Sequence, residues 1–214
     1  MTESALAVSS WQNFGTLGGT FEQGTAGAKP AFAATGGPNG RPCLTFDGGD
    51  YLRDATQNLV SAGAALTIFA VCQHTAAAGG VVIQQRTNTR WLAALELVAA
   101  GISYISGNGV DAGQNVTITA GQLSGITSHH VARWVFNGTG NAPAYASDGA
   151  AKTVTGGTQG TETGTTGLTV GTVPGGSTFT GKISEIVAFS RALTAEEIAM
   201  VERYMGRLYA LTVS

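Results

Sequence analysis

The sequence predicts an all-β protein: two packed antiparallel sheets, finished by one short amphipathic helix near the C-terminus. Three observations carry that prediction. Short runs rich in Val, Ile, Thr and aromatic residues recur along the chain, separated by clusters of Gly, Asn, Asp and Thr. Charged residues are only 11% and glycines number 32 in 214 residues, which suits turn-rich sheet and not a helical bundle or a charge-driven disordered chain. A complete helix-start signature stands near the end, from Thr194 to Glu197.

In chain order the strand-like runs are CLTF (from Cys43), ALTIFAVCQ (from Ala65), GVVIQQ (from Gly80), RWLAALELV (from Arg90) and GISYIS (from Gly101). They continue with NVTIT (from Asn115), HHVARWVFN (from His129), APAYAS (from Ala142), GLTVG (from Gly167) and KISEIVAFS (from Lys182). Leu66 to Cys72 is apolar on both faces of a period-two strand, as expected of a central sandwich strand. Ser147 to Ala150, SDGA, is a tight-turn signal between two runs. The helix follows the last run. Thr194 and Glu197 form a capping box, and Leu193 and Ile198 stand where a hydrophobic staple sits. Ile198, Val201, Met205 and Leu208 recur at spacings of three and four, giving one apolar stripe. Glu196 and Glu197 complement the positive end of the helix dipole, Arg203 and Arg207 the negative end.

Length and composition bound the function. The 214 residues form one domain over 1–214, with its core at about 11–209, because no linker-like shift divides the chain. The net charge is −2 and the 11 Lys and Arg are scattered, so neither nucleic acid nor a membrane surface is an expected partner. The start, MTESALAVSS, shows no basic segment followed by an apolar one, so no secretory signal is expected. The most apolar run, LVSAGAALTIFAVC, is shorter than the roughly 20 residues of a spanning helix. Cys43 and Cys72 both fall in strand-like runs and are expected to be buried free thiols.

Five stretches resemble a known superfamily. WQNFGTLGGTFEQGTAGAKPAF, then NGRPCLTFDGGDYL and LTIFAVCQ, look like the opening of the laminin-G-like, concanavalin-A-like jelly rolls. HHVARWVFNGTGNAPAYASDG resembles their central hairpin, and FTGKISEIVAFSRALTAEEIAMVERYM their closing strand and capping helix. The resemblance covers about Trp11 to Tyr209. It implies a two-sheet jelly roll whose helix covers an edge or an end of the sandwich. It leaves function open, since such modules serve as lectins, adhesins, enzymes and virion parts.

Catalytic patterns are missing from the sequence. The glucan-cutting members carry a Glu-x-Asp-x-x-Glu cluster on one strand, so that one carboxylate attacks and another donates a proton. Here Glu96 and Glu185 are isolated acids. The Arg-rich strand, Gln-x-His and Tyr/Lys segments of the alginate lyases are not found either. There is no G-x-S-x-G elbow, no phosphate-binding glycine loop and no zinc-spaced cysteine pair. His129 and His130, neighbours on one strand, face opposite sides and cannot share an ion from that strand, so a structural role is expected. Asp47, Asp50 and Asp54 beside a glycine turn are the candidate Ca²⁺ site. The competing reading has Asp47 and Asp50 accepting from backbone N–H groups to fix the turn. Trp91, Tyr104, Trp134 and Tyr145 lie in strand-like runs where core packing is usual. Asn88, Arg90 and Trp91, with Tyr104, make the candidate ligand-binding set, because sugar rings stack on aromatic faces while Asn and Arg bond their hydroxyls.

The expected function is a non-catalytic recognition or structural module. Resemblance to bacterial-virus members implies a virion surface component, a capsid decoration or tail-fibre protein, with glycans as its ligand class. Its expected partners are viral capsid or tail proteins or cell-surface glycans, and a homo-oligomer is compatible with such a role. Two alternatives stay open: a divergent carbohydrate-active enzyme (glycoside hydrolase or lyase), and a bacterial adhesin domain that is secreted or on the cell surface.

Overall fold

The computed structural model describes residues 6–59, 63–74, 80–86, 90–96, 103–108, 115–118, 127–159, 167–171 and 179–214. Two antiparallel sheets face one another. Among the described residues the first contains eight strands, ordered β1 (Leu6–Ala7), β4 (Ala31–Ala33), β5 (Cys43–Asp47), β17 (Thr180–Phe189), β7 (Leu66–His74), β12 (His130–Phe136), β13 (Ala144–Ser147) and β14 (Ala150–Lys152). The second contains nine: β15 (Val154–Gly156), β11 (Asn115–Ile118), β10 (Ser103–Asn108), β9 (Arg90–Glu96), β8 (Gly80–Arg86), β16 (Leu168–Gly171), β6 (Tyr51–Asp54), β3 (Thr20–Glu22) and β2 (Ser10–Gln12). Every predicted run overlaps one of these strands.

Alternation along β7 builds the protein. Leu66, Ile68, Ala70 and Cys72 point between the sheets, where they meet Ala132, Trp134 and Phe136 of β12 and Leu52, Val82, Leu168 and Val170 opposite. Trp134 packs edge-on to Tyr145 at 5.5 Å between ring centroids, so both rings belong to the core. Phe69 and Val71 point the other way and, with Val131, receive the helix α1 (Ala195–Tyr209) through Leu193, Met205 and Tyr209. The expected stripe is the docking face, and Met205 is wholly buried. Its location differs from expectation: α1 covers the outer face of the first sheet, not an edge or an end. The cause is the double-sided apolar character of β7 and β12, which leaves outward-facing residues that need a cover. Cys43 and Cys72 are buried free thiols.

The helix start is as written in the sequence: Thr194 Oγ1 accepts from the Glu197 N–H at 3.3 Å and Glu197 Oε2 accepts from the Thr194 N–H at 2.9 Å. The Ser147–Ala150 turn joins β13 to β14 with Asp148 at φ 49° and Gly149 at φ 79°, the two positive values a type I′ hairpin needs. Asp148 also accepts from the Val131 N–H at 2.9 Å, tying that turn to β12.

Candidate functional site

Strand β17 makes an opening in the sandwich. It pairs with β5 only through Thr180 to Ile183, and its register against β7 shifts between Ile183 and Glu185. From Glu185 to Phe189 it continues beside β7, with no neighbour among the described strands on its other edge. Where β5 leaves, the space between the sheets opens into a cleft of about 760 Å³. Its deep wall is apolar (Phe21, Leu59, Ile83, Leu168 and Val170), and its sides are Ser184 to Arg191 and the segment Trp11 to Leu17.

That segment is a preformed turn. The Asn13 side chain donates to Gly18 O at 2.8 Å and accepts from the Gly15 N–H at 2.9 Å, while the Gly18 N–H reaches Gly15 O at 3.0 Å. With Asn13 spent inside the turn, Phe14 is held out in solvent at 87% exposure and Leu17 at 40%. Trp11, half-buried, packs its other side against the core. The result is an aromatic rim over an apolar slot, with exposed Gln12 and the peptide edge of β17 as polar groups.

Two charged groups lie on the cleft wall. Glu185 is the one carboxyl among the described lining residues. Burial pushes its acid up from the ordinary carboxylate range, opposed by a hydrogen bond with Tyr209 and by the Arg41 charge. Its Oε2 has no hydrogen-bond partner among the described residues. Arg191 is committed elsewhere, forking onto Glu197 at 2.8 and 2.7 Å. One acid with a raised pKa gives a proton donor but not the acid–nucleophile pair of glycoside hydrolysis.

None of the cleft's described lining residues belongs to the candidate ligand-binding or Ca²⁺ sets. Asn88 lies outside the described residues. Arg90 and Trp91 are on β9 and Tyr104 is on β10, where Arg90 pairs with Asn108 and Trp91 with Gly107. That register sets the backbone positions of Arg90 and Tyr104 roughly 13 Å apart along the strand. Glu96 ends β9 opposite Gly80.

Asp47, Asp50 and Asp54 do not gather either; no group of three or more His, Cys, Asp or Glu fit to hold a metal occurs among the described residues. Asp50 Oδ2 accepts from the Asp47 N–H at 2.9 Å, and Asp47 Oδ1 from the Gly49 N–H at 2.8 Å. Asp54 Oδ1 accepts from the Thr56 N–H and hydroxyl and the Gln57 N–H. Asp50 and Asp54 are both buried. Burial raises Asp50, whereas at Asp54 burial is outweighed by these hydrogen bonds and its carboxyl is held low. His130 starts β12, buried, with Nδ1 3.0 Å from Ser128 O and Nε2 3.7 Å from Cys72 Sγ. His129 is half-buried, and burial lowers its pKa.

The cleft itself was missed. Its signal is in the sequence: WQNFGTLGG sets two aromatics around two amides and a glycine turn. The other half of the site, the parting of β5 from β17, is tertiary and has no local signature.

Solved structures share this architecture. Domain 4 of an extracellular arabinanase from Geobacillus stearothermophilus, in complex with arabinotriose, superposes with a TM-score of 0.54 at 17% identity, covering 85% of this chain and 82% of that one. A botulinum neurotoxin type C structure, whose cell entry is described as dependent on two ganglioside molecules, gives 0.58 at 12% identity over 93% of this chain and 51% of that one. Domains LG4-5 of the mouse laminin alpha1 chain give 0.50 at 13%, over 73% of this chain and 50% of that one. The fold is a laminin-G-like, concanavalin-A-like jelly roll. The chain thus spans most of the arabinanase domain and about half of the toxin and laminin chains. At these identities the likeness is one of fold. The sequence itself matches no family model and no curated protein.

Proposed function

We propose that this jelly roll is a non-catalytic recognition module that binds glycans in the cleft beside β17. The observation that carries the reading is the exposed Phe14 on a turn braced by Asn13, standing over an apolar slot open to solvent. A sugar offers an apolar ring face for the aromatic rim and hydroxyls for the free peptide edge of Glu185 to Phe189 and for Gln12. Neighbours of the same fold that are described with arabinotriose and with gangliosides support a sugar as the ligand. The lone carboxyl in the cleft supports binding without hydrolysis.

The finer reading is a virion surface component, in which many copies turn weak single contacts into firm attachment. It rests on the resemblance of the sequence to bacterial-virus members. Capsid, portal or tail genes flanking the coding sequence would support it, and their absence from every source of the gene would remove it.

The test of glycan binding is calorimetry against a panel of neutral oligosaccharides, arabinotriose included. Phe14→Ala should weaken binding about tenfold with no change in melting temperature. Binding that ignores this substitution would move the site elsewhere. Release of new reducing ends that stops in Glu185→Gln would make the protein an enzyme.

A further inference from the structure

We propose that the solvent face of α1, together with the turn before β5, is a second binding site, for an acidic sugar whose carboxylate sits among arginines. A groove of about 580 Å³ lies there, lined by Asn39, Arg41, Met200, Arg203, Tyr204 and Arg207 beside Leu208. It shares no lining residue with the cleft at β17.

The charge of the groove is out of keeping with the rest of the chain. The protein carries a net −2, yet three of its 11 basic residues meet here and no acid is among the lining residues. The ion pairs among the described residues are Arg133–Glu202 and Arg191–Glu197, neither of which involves these arginines. Arg41 lies within electrostatic reach of Glu185 without forming an ion pair. Like charges four apart on a helix, as at Arg203 and Arg207, disfavour the helix slightly unless an anion joins them.

Two of the three guanidinium groups are also held in place. Arg41 Nε donates to Leu208 O at 2.7 Å, where Asn39 Nδ2 also arrives at 3.3 Å, and the Arg41 guanidinium lies 5.7 Å above the Tyr209 ring. Arg203 Nε donates to Ala199 O at 3.0 Å. Capping the helix end accounts for Arg41 Nε, and the helix dipole favours Arg207. Neither accounts for three arginines lining one groove, where a guanidinium fork fits a carboxylate through two parallel hydrogen bonds.

The rest of the groove selects a sugar over a bare anion. Tyr204 and Met200, 54% and 57% exposed and one turn apart, form an apolar strip beside the arginines. A uronate or sialate has both halves of the match: a carboxylate for the guanidinium groups and a ring face for Tyr204.

The experiment measures binding of oligogalacturonate and of sialyllactose, each against its neutral counterpart, at low and high salt. We expect at least one acidic sugar to bind, its neutral counterpart not to bind in the groove, and binding to weaken with salt. Arg203→Gln with Arg207→Gln should weaken it about tenfold or more while the melting temperature holds. Lys29→Gln with Lys152→Gln removes the same charge elsewhere and should leave it intact. Silence from both acidic sugars, or an equal loss in the lysine pair, would overturn the site. Because the neutral panel reports on the Phe14 cleft, failure here leaves that cleft standing, and the reverse.

Discussion

Replacing Glu202 by leucine should cost about 3 kcal/mol of stability, and replacing its partner as well should restore most of it. Glu202 projects from α1 onto the outer face of the first sheet, where Arg133 of β12 meets it at 2.5 Å. The two side chains are only 6% and 12% exposed, and Arg133 Nε has no partner among the described residues. Glu202 is the ion-pair partner of the guanidinium among the described residues, with Asp148 near enough to raise the Glu202 carboxyl further. Removing one member of such a pair costs roughly 3–5 kcal/mol, and the lower end applies because water can still reach the edge of Arg133. For a chain of this length that corresponds to a fall in Tm of roughly 6–12 °C. Arg133→Met with Glu202→Leu leaves no orphaned charge and should lie near the wild type.

The two single variants should differ with pH. Burial raises the Glu202 carboxyl, and the Arg133 charge opposes that rise. In Arg133→Met the opposition is gone. A carboxyl raised in the folded state holds its proton more tightly there than when unfolded, so its penalty is full above the raised value. The penalty fades as pH falls toward the ordinary 4.5. Arg133→Met should thus recover in acid, whereas Glu202→Leu should not, because a guanidinium does not shed its proton. Urea denaturation of the four proteins at pH 7 and pH 5 measures both effects. A cost for Glu202→Leu below about 1 kcal/mol, or equal acid recovery of both single variants, would refute the reasoning.

Two further outcomes are expected. Hydrogen bonds from Arg191 first, and from the Thr194 N–H, hold the Glu197 carboxyl at about 2, below its ordinary 4.5. Its contribution is present above 4.5 and is lost as pH falls through about 2, so the stability gap between wild type and Glu197→Gln should close over that window in thermal melts. Excess chelator should leave Tm unchanged, because Asp47, Asp50 and Asp54 are occupied by N–H and hydroxyl donors; a drop of many degrees would return calcium to that turn.

What the sequence revealed was local and periodic. The capping box at Thr194 and Glu197, the stripe through Met205 and the positive-φ turn at Asp148–Gly149 are properties of neighbouring residues, and each is where its pattern put it. What it concealed depends on the partner. Leu66 to Cys72 announced two buried faces, but not that the second face would be covered by α1. The Arg133–Glu202 pair joins two elements far apart in the chain and has no local signature. The candidate set on β9 and β10 was chosen for residue type, while strand register decides which positions share a face. The cleft needed the bulge after Ile183 and the departure of β5, neither of which leaves a mark on the residues nearby.

The place of β17 bears on how the molecule is made. It lies between β5 and β7, so the strands on either side of it in the first sheet have no hydrogen-bonded contact with each other until it arrives. Both of its partners are separated from it by more than half the chain, and such distant pairing makes closure slow. A nascent chain on the ribosome holds two half-sheets with open edges until Thr180 to Phe189 has emerged, and only then does the platform for α1 exist. Synthesis that stalls before this strand leaves the first sheet divided, with its apolar outer face bare, for chaperones and proteases to handle.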